Sequence, residues 1–167
     1  MSAIPAESIL AKPNAYWGIL WGGLLAGTLD ITAACINGGL SSGRSPLWIL
    51  QSVASGWLGA DSYKGGIASG ALGLVTHFFI AFAATTVYFL ASRKLHFLVQ
   101  QAWLCGVLYG IAVYMFMYML VIPVTFSRKF SAPFSAIITP VLIHIFCVGL
   151  PIALMVKRFS VTSVSNE

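Results

Sequence analysis

Asp30, His77, Tyr114 and His144 are polar or ionisable side chains set deep in apolar stretches. Such groups are costly in hydrocarbon. Insertion scales charge about 2.5–3.5 kcal/mol for an aspartate at the centre of a spanning helix, so each should face protein or water and find a partner. A carboxylate beside an imidazole favours the charged form of each. The set therefore points to a site for a proton, an ion or a small polar ligand. Histidines on facing helices of a bundle are also the expected geometry for haem b or copper, with His77 and His144 as ligands. The remaining reading is a structural network that sets the register of the bundle.

The elements that must position these residues are four apolar stretches, 16–36, 70–91, 102–122 and 134–156, within 167 residues. A helix crossing ~30 Å of hydrocarbon needs about 20 such residues. Hydrophobic residues make up 59% of the chain and charged ones 8%, where a soluble domain carries about 25% charged residues. Little length remains for a soluble domain, so residues 1–167 are read as a single transmembrane bundle. The expected class is all-α: an integral membrane four-helix bundle with one short interfacial or re-entrant helix, 46–58, between the first and second spans.

Helical spacing says which way the polar residues point. Gly23, Gly27, Asp30, Ala34 and Gly38 lie on one stripe of the first span. Gly70, Gly73, His77, Ala81 and Ala84 form a matching stripe on the second. Small residues let helices approach closely, so these stripes are expected to meet. By helical rise, Asp30 lies ~4.5 Å past the middle of its span and His77 ~6 Å from the middle of its own, toward the same side. A hydrogen bond between them, direct or through one water, is expected. Gly106, Gly110, Tyr114 and Tyr118 line the third span, with Tyr109 nearby. Ala136, Pro140, His144, Cys147 and Pro151 line the fourth. Each proline removes a donor and so frees a carbonyl four residues earlier, at Ala136 and Cys147. Met115, Met117 and Met119 read as packing residues. Cys35, Cys105 and Cys147 have no CxxC spacing and read as reduced, small apolar side chains.

Residues 37–69 are long for a bundle connection. Asn37-Gly38-Gly39 reads as a helix stop followed by flexible chain. Ser45-Pro46 reads as a helix start, with Ser45 as N-cap and Pro46 in the first turn. In the helix that follows, Leu47, Leu50, Ala54 and Trp57-Leu58 mark an apolar face, and Gln51 and Ser55 a weakly polar one. The segment is too short to span. Its two tryptophans favour the interface, whereas its lack of charge leaves re-entrance open.

The net charge of +5 sits mostly beside the spans, where long cationic stems reach headgroups. Membrane lipids, not nucleic acid, are the partners this placement suits. Lys12, Arg93, Lys94, Lys157 and Arg158 on one side, against Arg44, Lys64, Arg128 and Lys129 on the other, favour both termini in the cytoplasm. The first apolar run is longer than a signal-peptide core and holds Asp30, so no cleaved signal is expected.

Leu50-Gln51-Ser52-Val53-Ala54-Ser55-Gly56, Gly73-Leu74-Val75-Thr76-His77-Phe78-Phe79 and Tyr109-Gly110 resemble segments of an uncharacterised group of bacterial inner-membrane proteins and, more distantly, of YagU-like proteins. The resemblance covers residues from about 22 to 156, and His144 is similar to the second histidine of YagU-like proteins. It implies a multipass protein of the bacterial inner membrane and carries over no catalytic residues.

HExxH and GxxxxGK[ST] are absent from the sequence, the one GxSxG match, Gly39-Leu40-Ser41-Ser42-Gly43, stands like the other loop serines in no recognisable catalytic context, and no enzymatic activity or cofactor is expected. Small size, short loops and glycine stripes suggest an accessory or scaffold membrane subunit, as a homo-oligomer or within a larger complex. The alternatives are proton- or ion-coupled transport of a small solute as an oligomer, and the haem b or copper protein.

Overall fold

The structure, a computed structural model, describes residues 15–122 and 134–161. Among them the regular elements are all helical. Helix α1 is Ala15–Ser42, α2 is Pro46–Leu58 and α3 is Gly66–Lys94, with a 3₁₀ segment, Gly59–Lys64, between the last two. A single turn, α4 (Phe97–Gln100), leads into α5 (Ala102–Phe116), which continues as a π-helical turn over Met117–Val121. The fourth span is α6 (Phe134–Ile143), a π-helical stretch over His144–Gly149, and α7 (Leu150–Val161). Four helices, Tyr16–Ser42, Gly66–Lys94, Ala102–Val121 and Ile137–Ser160, are long and apolar enough to cross a membrane. The short helix lies between the first two.

The first span runs past its expected end. Asn37-Gly38-Gly39 does not stop α1, which continues to Ser42. Packing explains this: a β-carbon at Gly38 would meet Ile49 of α2, so the glycine is there for close approach. The stop is Gly43, at φ 62°. The N–H groups of Gly43 and Arg44 return to the carbonyls of Gly39 and Gly38 at 3.0 and 3.1 Å, closing the helix end. The expected start of α2 is found. Ser45 Oγ accepts the Trp48 N–H at 3.2 Å and Pro46 occupies the first turn.

Helix α1 packs against α3, α2 and the fourth span, with glycines at its contacts to α3 and to the fourth span. Gly23 and Gly27 sit against Phe82 and Phe78 of α3, while Gly18 packs on Val156 and Phe159 of α7. Gly22 lies where Thr85 of α3 and Ile152 of α7 converge. These pairings run antiparallel. The fourth span in turn packs on α5. There Gly106, Gly110 and Gly149 bring two main chains together: a β-carbon on Gly149 would strike the Gly106 carbonyl and the Gly110 backbone.

The core lies toward the α4 end of the molecule. Ala26, Tyr88, Phe89, Ala102, Cys105, Val148, Ile152, Ala153 and Val156 are buried together, tying α1, α3, α5 and α7. The tyrosines lock this end. Tyr88 Oη donates to the Leu98 carbonyl at 2.9 Å, and Tyr109 Oη reaches across from α5 to the Ala84 carbonyl of α3 at 2.7 Å. The two rings meet edge to face, 4.9 Å apart. Large apolar side chains such as Phe79, Leu108 and Phe146 point outward, as a bilayer-facing surface requires.

Two expected partnerships are corrected. Gly70 and Gly73 do not pair α3 with α1. A β-carbon at Gly70 would meet Leu47, and one at Gly73 the Leu50 carbonyl, so both serve α2. The faces of α2 are also redistributed. Gln51, Ala54 and Ser55 are buried, whereas Trp57 and Leu58 are exposed.

Candidate functional site

The α1 and α3 stripes meet, but through backbone rather than through two ionisable side chains. His77 Nε2 lies 2.9 Å from the Gly27 carbonyl of α1. A carbonyl only accepts, so Nε2 carries the hydrogen. The expected direct Asp30–His77 hydrogen bond is not made: His77 bonds to the main chain nearly one helical turn before Asp30. The glycine that lets α3 approach leaves its own carbonyl as the nearest acceptor, and the imidazole takes it.

Asp30 is half-buried. Among the described residues its carboxylate has no hydrogen-bond or ion-pair partner. Tyr118 of the third span and Cys147 of the fourth lie within range of its charge. Tyr114 is buried and stacks on Tyr118, with ring centroids 4.4 Å apart. The Tyr114 ring also meets His144 edge to face at 5.4 Å. His144 Nδ1 bonds the Pro140 carbonyl at 2.9 Å, which again fixes the hydrogen on the bonded nitrogen.

The fourth span is built around its prolines. His144 follows Pro140 by one turn and caps its carbonyl from the side chain. Before Pro151 the helix widens, and the Leu150 N–H reaches back to the Ile145 carbonyl five residues earlier. A proline ring collides with the carbonyl four residues before it, and a π turn is one way to relieve the collision. The third span widens as well, with the Ile122 N–H bonded to the Met117 carbonyl.

His77 and His144 are therefore held in different interfaces, one between α1 and α3 and the other between the fourth span and α5. Among the described residues no three His, Cys, Asp or Glu side chains are grouped to hold a metal ion. The three cysteines are free.

A second polar assembly, not foreseen from the sequence as a site, joins α2, the 3₁₀ segment and α3. Gln51 Nε2 donates to the Gly66 carbonyl at 3.0 Å and to Ser69 Oγ at 3.3 Å. Ser69 Oγ donates to the Ser62 carbonyl at 2.6 Å. Gln51, Ser62 and Ser69 are all buried, and Ser62 Oγ has no partner among the described residues. The sequence signal was the polar pair Gln51 and Ser55 in an otherwise apolar helix. Their spacing defined a face without saying that it turns inward.

No protein-family model, curated protein or solved structure matches this chain.

Proposed function

We propose that the chain is a small multipass protein of the bacterial inner membrane, with both termini in the cytoplasm, acting as a non-enzymatic accessory or scaffold subunit. One observation carries this reading. The polar hydrogens of His77, Tyr88, Tyr109 and His144 are all directed to main-chain carbonyls, and those of His77 and Tyr109 cross between spans. Groups used this way fix helix positions. A haem b or copper centre through His77 and His144 is disfavoured because the two rings lie in different helix interfaces.

Reconstitution tests the reading. The purified protein in vesicles under an imposed proton gradient should pass no more protons than empty vesicles. Native mass analysis should find it as a homo-oligomer or in a stoichiometric complex with other membrane proteins. His77→Ala should weaken the fold, and Asp30→Asn should leave assembly intact.

The half-buried Asp30 carboxylate, without a partner among the described residues, favours a second reading: proton- or ion-coupled transport of a small solute by an oligomer. Flux that Asp30→Asn abolishes, in a protein that still folds and assembles, would establish it over the first.

A further inference from the structure

We infer that α2 is a re-entrant helix, immersed in the hydrocarbon with its outer face against lipid acyl chains. This is independent of the scaffold reading. A helix lying on the membrane surface turns its polar side to water. Here the polarity is inverted. Gln51 and Ser55 are buried, whereas Trp57 is 70% exposed and Leu58 45%. The exposed apolar side is joined by Val75 and Phe79 of α3, 68% and 70% exposed, so it continues the bilayer-facing surface of a spanning helix.

The side-chain donors of α2 from Gln51 onward agree. Both hydrogens of Gln51 Nε2 are bonded, to the Gly66 carbonyl and Ser69 Oγ. Ser52 Oγ donates to the Ile49 carbonyl and Ser55 Oγ to the Ser52 carbonyl, each at 2.7 Å. Trp57 Nε1 donates to Thr76 Oγ1 of α3 at 3.0 Å. Tryptophans at the membrane boundary commonly keep one end apolar and offer the ring N–H to the wet side. Trp57 presents only its hydrocarbon edge outward. Internal pairing of the donors from Gln51 to Trp57 is dispensable in water and required in lipid.

Charge marks the points of entry and exit. Arg44 precedes the helix, Asp61 and Lys64 follow it, and the sequence between Arg44 and Asp61 carries no charge. Asp61 and Lys64 pair at 2.9 Å with both side chains 81% exposed. The segment starts beside the end of α1, where Ile49 covers Gly38, and returns to the start of α3, so it enters and leaves on one side.

Spin labels at Leu58→Cys and Asp61→Cys, each in protein lacking the native cysteines and reconstituted in phosphatidylcholine vesicles, test this. At Leu58→Cys, collision with oxygen should exceed collision with a water-soluble nickel chelate severalfold, and at Asp61→Cys the order should reverse. A Leu58→Cys label that meets the chelate as freely as the Asp61→Cys label overturns the proposal, as does one shielded from both reagents because another protein covers it. Protein with its native cysteines supplies an independent check. Phosphatidylcholine brominated midway along its acyl chains should quench a fluorescence component that Trp57→Phe removes. A Trp57 component untouched by brominated lipid would likewise overturn the assignment.

Discussion

Gly110 and Gly149 place the main chains of α5 and the fourth span in direct contact, with no room for a β-carbon on either. A methyl on Gly110 would come within 2.6 Å of the His144 carbonyl oxygen and of Ile145 Cα. The obstacle is backbone, so it cannot rotate away as a side chain would.

Gly149→Ala and Gly110→Ala should therefore each destabilise the protein by roughly 1–3 kcal/mol, the usual range for overpacking. Gly39→Ala is the matched control: its added methyl would find its nearest neighbour, the Arg44 carbonyl, at 3.8 Å. Thermal unfolding in detergent should separate the first two from the third. Equal losses at all three would show that the α5 contact is looser than described.

His77→Ala removes the bond to the Gly27 carbonyl. A loss of about 0.5–1.5 kcal/mol is expected from one such bond. His77→Asn keeps a donor on a shorter arm and should recover part of it. Asp30→Asn should not lower stability, since no described group pairs with the carboxylate. An Asp30→Asn loss as large as that of His77→Ala would point to a direct coupling between the two residues.

Tyr109→Phe deletes the hydroxyl that links α5 to the Ala84 carbonyl of α3, and Tyr88→Phe deletes the one bonded to Leu98. Each should cost on the order of 1 kcal/mol. Because the two rings touch, their double variant should depart from the sum of the single effects. Additive losses in unfolding measurements would mean that the tyrosines act independently.

Ser69 and Ser62 should respond in opposite senses. Ser69→Ala breaks the chain from Gln51 to the Ser62 carbonyl and should destabilise. Ser62→Ala removes a buried hydroxyl that has no described partner, and should be neutral or stabilising. A clear loss at Ser62→Ala, read by the same unfolding assay, would reveal a bond to that oxygen.

Hydropathy made the four spans and the short helix legible, because bilayer thickness imposes one length on every crossing. The Ser45-Pro46 start was legible because a cap is a local contact. The end of α1 was not. Glycines at 38 and 39 look like a helix stop in isolation, yet Ile49 of another helix occupies the space that Gly38 leaves. The same limit hid the partners of Gly70 and Gly73: spacing identifies a smooth face but not the helix laid against it. Gly18, Gly22 and Gly149 were overlooked because they fall off the stripes drawn through the polar residues.

The imidazole partners were missed for a different reason. Side-chain types can be matched across two stripes on paper, whereas a backbone carbonyl is present at every position and leaves no mark in the sequence. His77 chose Gly27 because the glycine allowed α3 close enough to reach it. Tyr114 and His144 were placed at similar depth by counting residues, and they do meet. Asp30 and His77 make no direct hydrogen bond among the described residues.

The division of α1 between its two glycine sets also governs assembly order during synthesis. The Gly22, Gly23 and Gly27 side can meet its mate as soon as α3 has been made, but Gly18 must wait until α7, the end of the last span, has been made. Throughout that interval the surface around Gly18 is without its mate.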